Sequence, residues 1–307
     1  MITNKHNIHL PIAIFLAHDD YDYVKNNPNY LSVTTLLKPI KSLVLQQYVQ
    51  DTSVDLIDLI PSRVGTSIHS RVEEALNNFH KNATKLGIAD CGIAINPDDR
   101  LHPNAIFMEQ RKSKEIFGYT IGGKFDIVYE NTLRDIKTTK VYKWIKGDFE
   151  DYILQGSIYR WLNQDIIHED FMYIDFLFTD WKEHETSKEG YPPLPIMHKK
   201  LPLKSIKETE HWIITKLIQL VKWSLVTDQS LLPKCTTKER WQDPDTYAYY
   251  KNPNGKRATK IFSSMSEAVN AQIQHGSVGR IEVREATPRR CNSRFCPAYS
   301  VCEQGKN

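Results

Sequence analysis

Asp126, Asp135 and Lys137 are the residues whose types and spacing could do chemistry. They fall in the stretch Gly122-Gly123-Lys124-Phe125-Asp126-Ile127-Val128-Tyr129-Glu130-Asn131-Thr132-Leu133-Arg134-Asp135-Ile136-Lys137. This reads as two short strands joined by a tight turn. With Glu130 and Asn131 as the turn residues, Asp126 lies opposite Asp135 and Lys124 opposite Lys137. Strand alternation puts Asp126, Asp135 and Lys137 on one face. Phe125, Ile127 and Ile136 take the other, which is the face expected to meet the core. Opposed carboxylates sit roughly 4.5–5.5 Å apart at Cβ and repel each other. A divalent cation between them relieves that repulsion, and Mg²⁺ or Mn²⁺ prefers oxygen ligands. The lysine two residues beyond Asp135 adds positive charge where a phosphate could bind.

Three other pairs or single residues could join this set. Gly65-Thr66-Ser67-Ile68-His69-Ser70-Arg71-Val72-Glu73 places His69 and Glu73 four apart on one helix face. A histidine flanking an apolar stripe can point into a cleft and ligate a metal, or simply pair with Glu73. Glu109, in a strand ahead of the hairpin, could offer another carboxylate or lie in solvent. Gln155 and Tyr159 share a face of the following helix, where an amide and a phenol could contact phosphate or position the lysine. An ordinary amphipathic helix with an interfacial tyrosine has the same pattern.

The elements that must position these groups are readable in outline. Val64, Ile68, Val72, Leu76 and Phe79 predict a helix over Arg63–His80. Strands are expected over Ala105–Gln110 and Phe117–Ile121, then a helix over Asp151–Leu162. The apolar run Phe171–Thr179 has the length and composition of a buried strand. Asp180–Leu203 reads as a long polar loop, and Ser205–Val226 as a second strong helix. Helix, three strands, helix, strand is a mixed sheet flanked by helices, hence α/β. The 307 residues and 40% hydrophobic content suffice for a sizeable core. A net charge of +3 does not announce a nucleic-acid binder, so a local groove would have to do so. No apolar run reaches membrane-span length and no signal-peptide plan opens the chain, so a cytoplasmic location is the default expectation.

In this order, Gly65…His69…Glu73, Gly123-Lys124-Phe125-Asp126, Asp135-Ile136-Lys137 and Gln155…Tyr159 resemble the PD-(D/E)xK nuclease superfamily, specifically its RecB-type exonuclease branch. The resemblance covers roughly residues 60–180, with Phe125 in place of the proline that names the superfamily. It implies a restriction-endonuclease-like core and a Mg²⁺- or Mn²⁺-dependent DNA nuclease, most simply an exonuclease. Asp126 and Asp135 would bind the metal and His69 would add a ligand; Glu109 is a further candidate ligand from its strand position alone. Lys137 would orient the attacking water, while Gln155 and Tyr159 shape the site. DNA is the implied partner, alongside a helicase or recombinase. A site-specific endonuclease, or a non-catalytic DNA-binding or assembly protein keeping the fold, are the alternatives.

The composition shifts near residue 230, suggesting a core over 1–230 and a cysteine-rich tail over 231–307. Cys235, Cys291, Cys296 and Cys302 make a set of four thiols, suited to Zn²⁺ or an iron–sulfur cluster. The last three resemble the C-terminal trio of RecB-type nucleases that carry a [4Fe–4S] cluster, which implies that cofactor here. In those nucleases the fourth cysteine precedes the nuclease motifs, so Cys91 rivals Cys235. Trp241–Lys251 and Ala258–Phe262 read as a β-hairpin, and the whole tail is similar to that of bacteriophage nucleases. Lys140, Lys143 and Lys146, interleaved with Tyr142 and Trp144, and Arg289, Arg290 and Arg294 in the tail, could hold DNA.

Overall fold

The computed structural model describes residues 1–307 apart from 20–23, 25, 26, 51, 52, 89–91, 293, 294 and 307. Cys91 and Arg294 therefore lie outside the described residues. Contacts divide the chain into two compact units: Met1–Lys38 with Thr52–Ile218, and Pro39–Asp51 with Gln219–Asn307. The sequence suggested a boundary near 230 and gave no sign that residues 39–51 belong with the tail.

The first unit is α/β. Its six-stranded sheet runs in the order Ile196–Pro202, Phe171–Phe178, Thr132–Thr139, Ile127–Tyr129, Ala105–Met108, Ala94–Ile95. The central pair Thr132–Thr139 and Phe171–Phe178 is parallel, linked by the helix Glu150–Leu162. Glu150 and Asp151 suit the positive end of that helix. Ile158, Trp161 and Leu162 pack on the sheet with Leu133, Met172, Ile174 and Phe176. Each such fully buried side chain contributes about 1.5–3 kcal/mol from burial.

Several elements differ from expectation, each for a local reason. The first helix spans Leu56–Asn77, not Arg63–His80; Asp55 caps it and Pro61 is accommodated inside it. Phe79 falls in a separate helix, Phe79–Lys85, so the anticipated stripe breaks. Phe117 is not in a strand: Phe117 and Gly118 both take positive φ and form the turn between Arg111–Ile116 and Tyr119–Lys124. Part of the Asp180–Leu203 loop is a strand, Ile196–Pro202, whose largely exposed residues hid its pairing with Phe171–Phe178. That central strand is buried on one side only, through Met172, Ile174, Phe176 and Phe178. The second strong helix, Ile206–Ser224, opens on a reciprocal cap in which Ser205 and Glu208 each accept the other's backbone N–H.

The hairpin register is as read. Ile127 pairs Arg134, Val128 pairs Leu133 and Tyr129 pairs Thr132. Glu130 and Asn131 both have positive φ, the geometry that matches a two-residue turn to strand twist. Lys124, however, does not face Lys137. The chain bends at Phe125–Asp126, and Tyr119–Lys124 belongs to a second sheet with Arg111–Ile116 and Tyr30–Ser32, where Lys124 pairs Arg111. The neighbouring strand bends at the same level, at Glu109–Gln110. There Glu109 takes φ 54° and its N–H donates to the Asp126 carbonyl at 3.0 Å.

The core also lies on the other face from the one expected. Leu133, Asp135 and Lys137 share the face that meets the main cluster, because the crossover helix covers that side. Phe125 joins this cluster from beyond the bend, while Ile136 is buried on the opposite face.

The second unit contains an antiparallel sheet of Lys260–Phe262, Thr246–Tyr250 and Arg280–Arg284, so the anticipated hairpin is present. The helix Met265–Gln274, capped by Ser264, packs on it through Ala268. Among the described residues no helix is long and apolar enough to cross a membrane.

Gly123 has a packing reason beyond any motif. A Cβ there would lie 2.6 Å from Tyr159 Cε1 and from Val33 Cγ2. Gly123→Ala should therefore cost about 1–3 kcal/mol of stability by forced repacking, read as a lower denaturant midpoint. Gly65→Ala, where a Cβ meets nothing within 4 Å, should leave the midpoint unchanged or raise it.

Candidate active site

The two bends at Glu109–Gln110 and Phe125–Asp126 bring Glu109 and Asp126 to one point, and the helix Leu56–Asn77 adds His69 from above. His69 Nδ1 lies 3.5 Å from Asp126 Oδ1 and 3.8 Å from Glu109 Oε1. One ligand atom from each of these three residues lies within 4.8 Å of the others, the one such group among the described residues. An ion with metal–ligand distances of about 2.0–2.4 Å can bridge that spacing. His69 Nε2 donates to the Ile136 carbonyl at 3.1 Å, which leaves Nδ1 as the ligand atom of the neutral ring. Glu73, the partner weighed for His69, only lines the same cleft.

Asp135 stands beside this group rather than in it. Its side chain is 2% exposed and lies 2.6 Å from Lys137 Nζ. Asp135 is thus buried with the Lys137 ammonium as its close charge partner. Asp126 Oδ2 accepts the Ile136 N–H at 2.8 Å, tying the first strand's carboxylate to the second strand's backbone. From the crossover helix, on the same side of the sheet as Asp135 and Lys137, Gln155 Nε2 donates to the Tyr159 hydroxyl at 3.1 Å, and that phenol feels the charges of both.

Two neighbours escaped the sequence reading. Tyr152 lies with Lys137 Nζ 5.7 Å and Lys143 Nζ 4.8 Å from its ring centre. It is three residues before Gln155 and seven before Tyr159, a helical spacing that could have flagged it. Lys124 Nζ sits 2.6 Å from Glu109 Oε2; only the paired bends make that contact, so no sequence signal pointed to it.

The charges hold each other in place. Contacts with Asp126 and Glu109 lift the His69 imidazolium from its ordinary 6.5 to about 10. Burial drives the Asp135 carboxyl up to about 6, with Lys137 opposing and Asp126 reinforcing the rise. Burial also works against the charge on Asp126, but His69 and Lys137 outweigh it and hold that carboxyl below its ordinary range. Burial disfavours the Lys137 ammonium too, yet Asp135 and Asp126 hold it above its ordinary value.

Of the lysines and aromatics after the hairpin, Tyr142 is exposed, with Lys146 6.0 Å from its ring centre. Trp144 turns inward against Phe176 and Phe178 and is not a free stacking surface. Arg289 pairs Asp243 at 3.0 Å, and Arg290 packs over Trp241.

Within the second unit, Cys235, Cys291, Cys296 and Cys302 line one small pocket of about 20 Å³. Lys41, Arg240 and Arg290 line it as well. Arg240 Nε and Arg290 Nε are buried there without a hydrogen-bond partner. Burial pushes the Cys235 thiol up to about 12, helped by Glu239. No three of the four sulfurs lie within 4.8 Å of one another, whereas thiolates around one tetrahedral zinc are about 3.8 Å apart.

Because the metal-free His69 holds a proton up to about 10, a cation binding at its Nδ1 must displace that proton. Mn²⁺ affinity should therefore rise about tenfold per pH unit between about pH 7 and 9. Calorimetry in buffers of different ionisation enthalpy should count about one proton released. His69→Gln should bind more weakly and lose this pH slope; an unchanged slope would remove His69 from the site.

No protein-family model matches the sequence, and no curated protein sequence does. Solved structures resemble it distantly. The protein SSO0001 aligns over 67% of this chain and 81% of its own, at 14% identity and a TM-score of 0.41. A candidate exonuclease from Eubacterium rectale aligns over 64% and 82%, at 13% identity and 0.38. A phage-related exonuclease from Haemophilus somnus aligns over 52% and 70%, at 16% identity and 0.30. These likenesses are too distant to carry a function across.

Proposed function

We propose that this chain is a divalent-metal-dependent DNA nuclease, acting as an exonuclease. One observation carries the reading: His69 from a helix, Glu109 from the neighbouring strand and Asp126 from the hairpin form a cation-sized group directly beside the buried Asp135–Lys137 pair. A structural charge network has no need to gather three acids and a histidine from four elements, with Asp135 buried beside the group.

Glu109, Asp126 and His69 would hold Mg²⁺ or Mn²⁺, with Asp135 adjoining. Such an ion supplies charge to the phosphate oxygens and lowers the pKa of water. The chain's own residues do the rest. Lys137, held charged by the two aspartates, is a proton donor and not a base. It is placed to donate to a phosphate oxygen and to orient water against the phosphorus. Tyr152, its ring centre 5.7 Å from Lys137 Nζ, and Tyr159, fixed by Gln155, would wall it from the same helix face. Lys140, Lys143, Lys146 and Tyr142 supply charge and one exposed ring for the DNA leading to the site.

Asp126→Ala and Lys137→Ala should each lower Mn²⁺-dependent digestion of end-labelled linear DNA by about a hundredfold or more, with unchanged thermal unfolding. Covalently closed circular DNA should resist the wild type. Cutting of circles would make the enzyme an endonuclease. Failure to cut any DNA with either metal would favour a DNA-binding protein that keeps the fold.

We further propose that Cys235, Cys291, Cys296 and Cys302 hold a [4Fe–4S] cluster, with Zn²⁺ as the alternative. The wide sulfur spacing suits a cluster better than a single ion, and Lys41, Arg240 and Arg290 offset the charge of four thiolates. Cys235, which lines the pocket, takes the fourth place in this reading. Protein purified without oxygen should be brown, absorb near about 400 nm and carry about four irons per chain. Cys296→Ser should lose most of the iron. A colourless protein loaded with zinc would replace the cluster.

A further inference from the structure

We propose that the part of the central sheet face turned away from the crossover helix and lying beyond the helix Leu56–Asn77 binds a single strand of nucleic acid, an inference that rests on the nuclease reading for its biological sense. The three strands Thr132–Thr139, Phe171–Phe178 and Ile196–Pro202 are in register, so their side chains form cross-strand rows. One row is Arg134, Tyr173 and Lys200; the next is Ile136, Asp175 and His198. The crossover helix covers the opposite face of these strands. On this face Tyr173 and Asp175 are only half-buried, and His198 and Lys200 are exposed.

Aromatic rings and cations are paired on it. Lys200 Nζ lies 3.5 Å from the Phe171 ring centre, and the Arg134 guanidinium lies 4.7 Å from that of Tyr173. Phe171 and Tyr173 meet edge to face, with centres 5.7 Å apart. Arg134 Nε and Thr138 Oγ1, both on strand positions of this face, are buried without a hydrogen-bond partner. Arg134 and Lys200, with His198 beside them, outnumber the single carboxylate, Asp175. Half-exposed rings flanked by cations are the chemistry that takes splayed bases and their phosphates. A flat partner protein would find fewer apolar groups here than its own core needs.

The test uses the full chain in EDTA, so that nothing is cut. Fluorescein-labelled oligothymidylate should bind with salt-dependent affinity. The double variant His198→Glu, Lys200→Glu, at two exposed positions, should weaken binding by at least about tenfold without shifting thermal unfolding. An oligonucleotide carrying 5-iodouracil should photocross-link to the peptide containing Phe171 and Tyr173. Equal binding by the double variant, cross-links mapping elsewhere, or no binding would overturn the proposal. So would sedimentation showing that DNA-free wild type is a dimer split by the double variant, because a second copy would then occupy the face. If wild type never cuts DNA but binds and cross-links at this face, the nuclease reading falls and this one stands; the reverse outcome separates them equally.

Discussion

The structure depends on forcing like charges together and then satisfying them. Glu109 and Asp126 are drawn to one place by two strands that bend at the same level, Asp135 adjoins them from the next strand, and carboxylates in that proximity repel. The fold tolerates them because His69, Lys124 and Lys137 bring compensating positive charge within 2.6–3.8 Å. Each cation is contributed by a different element: a helix, the incoming strand and the outgoing strand. The arrangement holds as a charge-balanced unit in which one positive group can be exchanged for another.

Placing that unit at the rim of the core, not on a solvent face, changes its chemistry. Leu133, Ile174 and Phe176 share the sheet face with Asp135 and Lys137. Water is thereby displaced from one side of the pair, and in the lower dielectric each charge depends more strongly on its partner. This is why the two aspartates part company: Asp135 is pushed toward neutrality by burial, while Asp126 is held ionised by His69. Acids with opposed tendencies beside a persistently charged lysine are a poised site. The packing that produces this also explains Gly123, which lets the Tyr159 ring approach.

The second unit repeats the theme with softer ligands. Four thiols share a pocket with Lys41, Arg240 and Arg290, so the cations are already in place for whatever anionic assembly the sulfurs complete. Lys41 comes from the short helix Ile40–Gln46, far from the cysteines in sequence and part of the same unit.

Local pattern was enough to read much of this chain. The Glu130–Asn131 turn set the hairpin register, because two residues of positive φ match strand twist and side chains alternate without exception. The helix at 150–162 and the strand at 171–178 followed from periodicity and composition. What sequence could not decide was which face the core would take, since both faces of the hairpin carry apolar residues and the choice rests with the crossover helix. Nor could it place Lys124 beside Glu109, gather Pro39–Asp51 with the tail, or reveal the exposed strand Ile196–Pro202. Each of these depends on contacts between residues distant in sequence, where local propensity is silent. The residue types and their register are a property of the chain; the bends, the burial and the charge pairing that make them a site arise only when the sheet and its helices close around them.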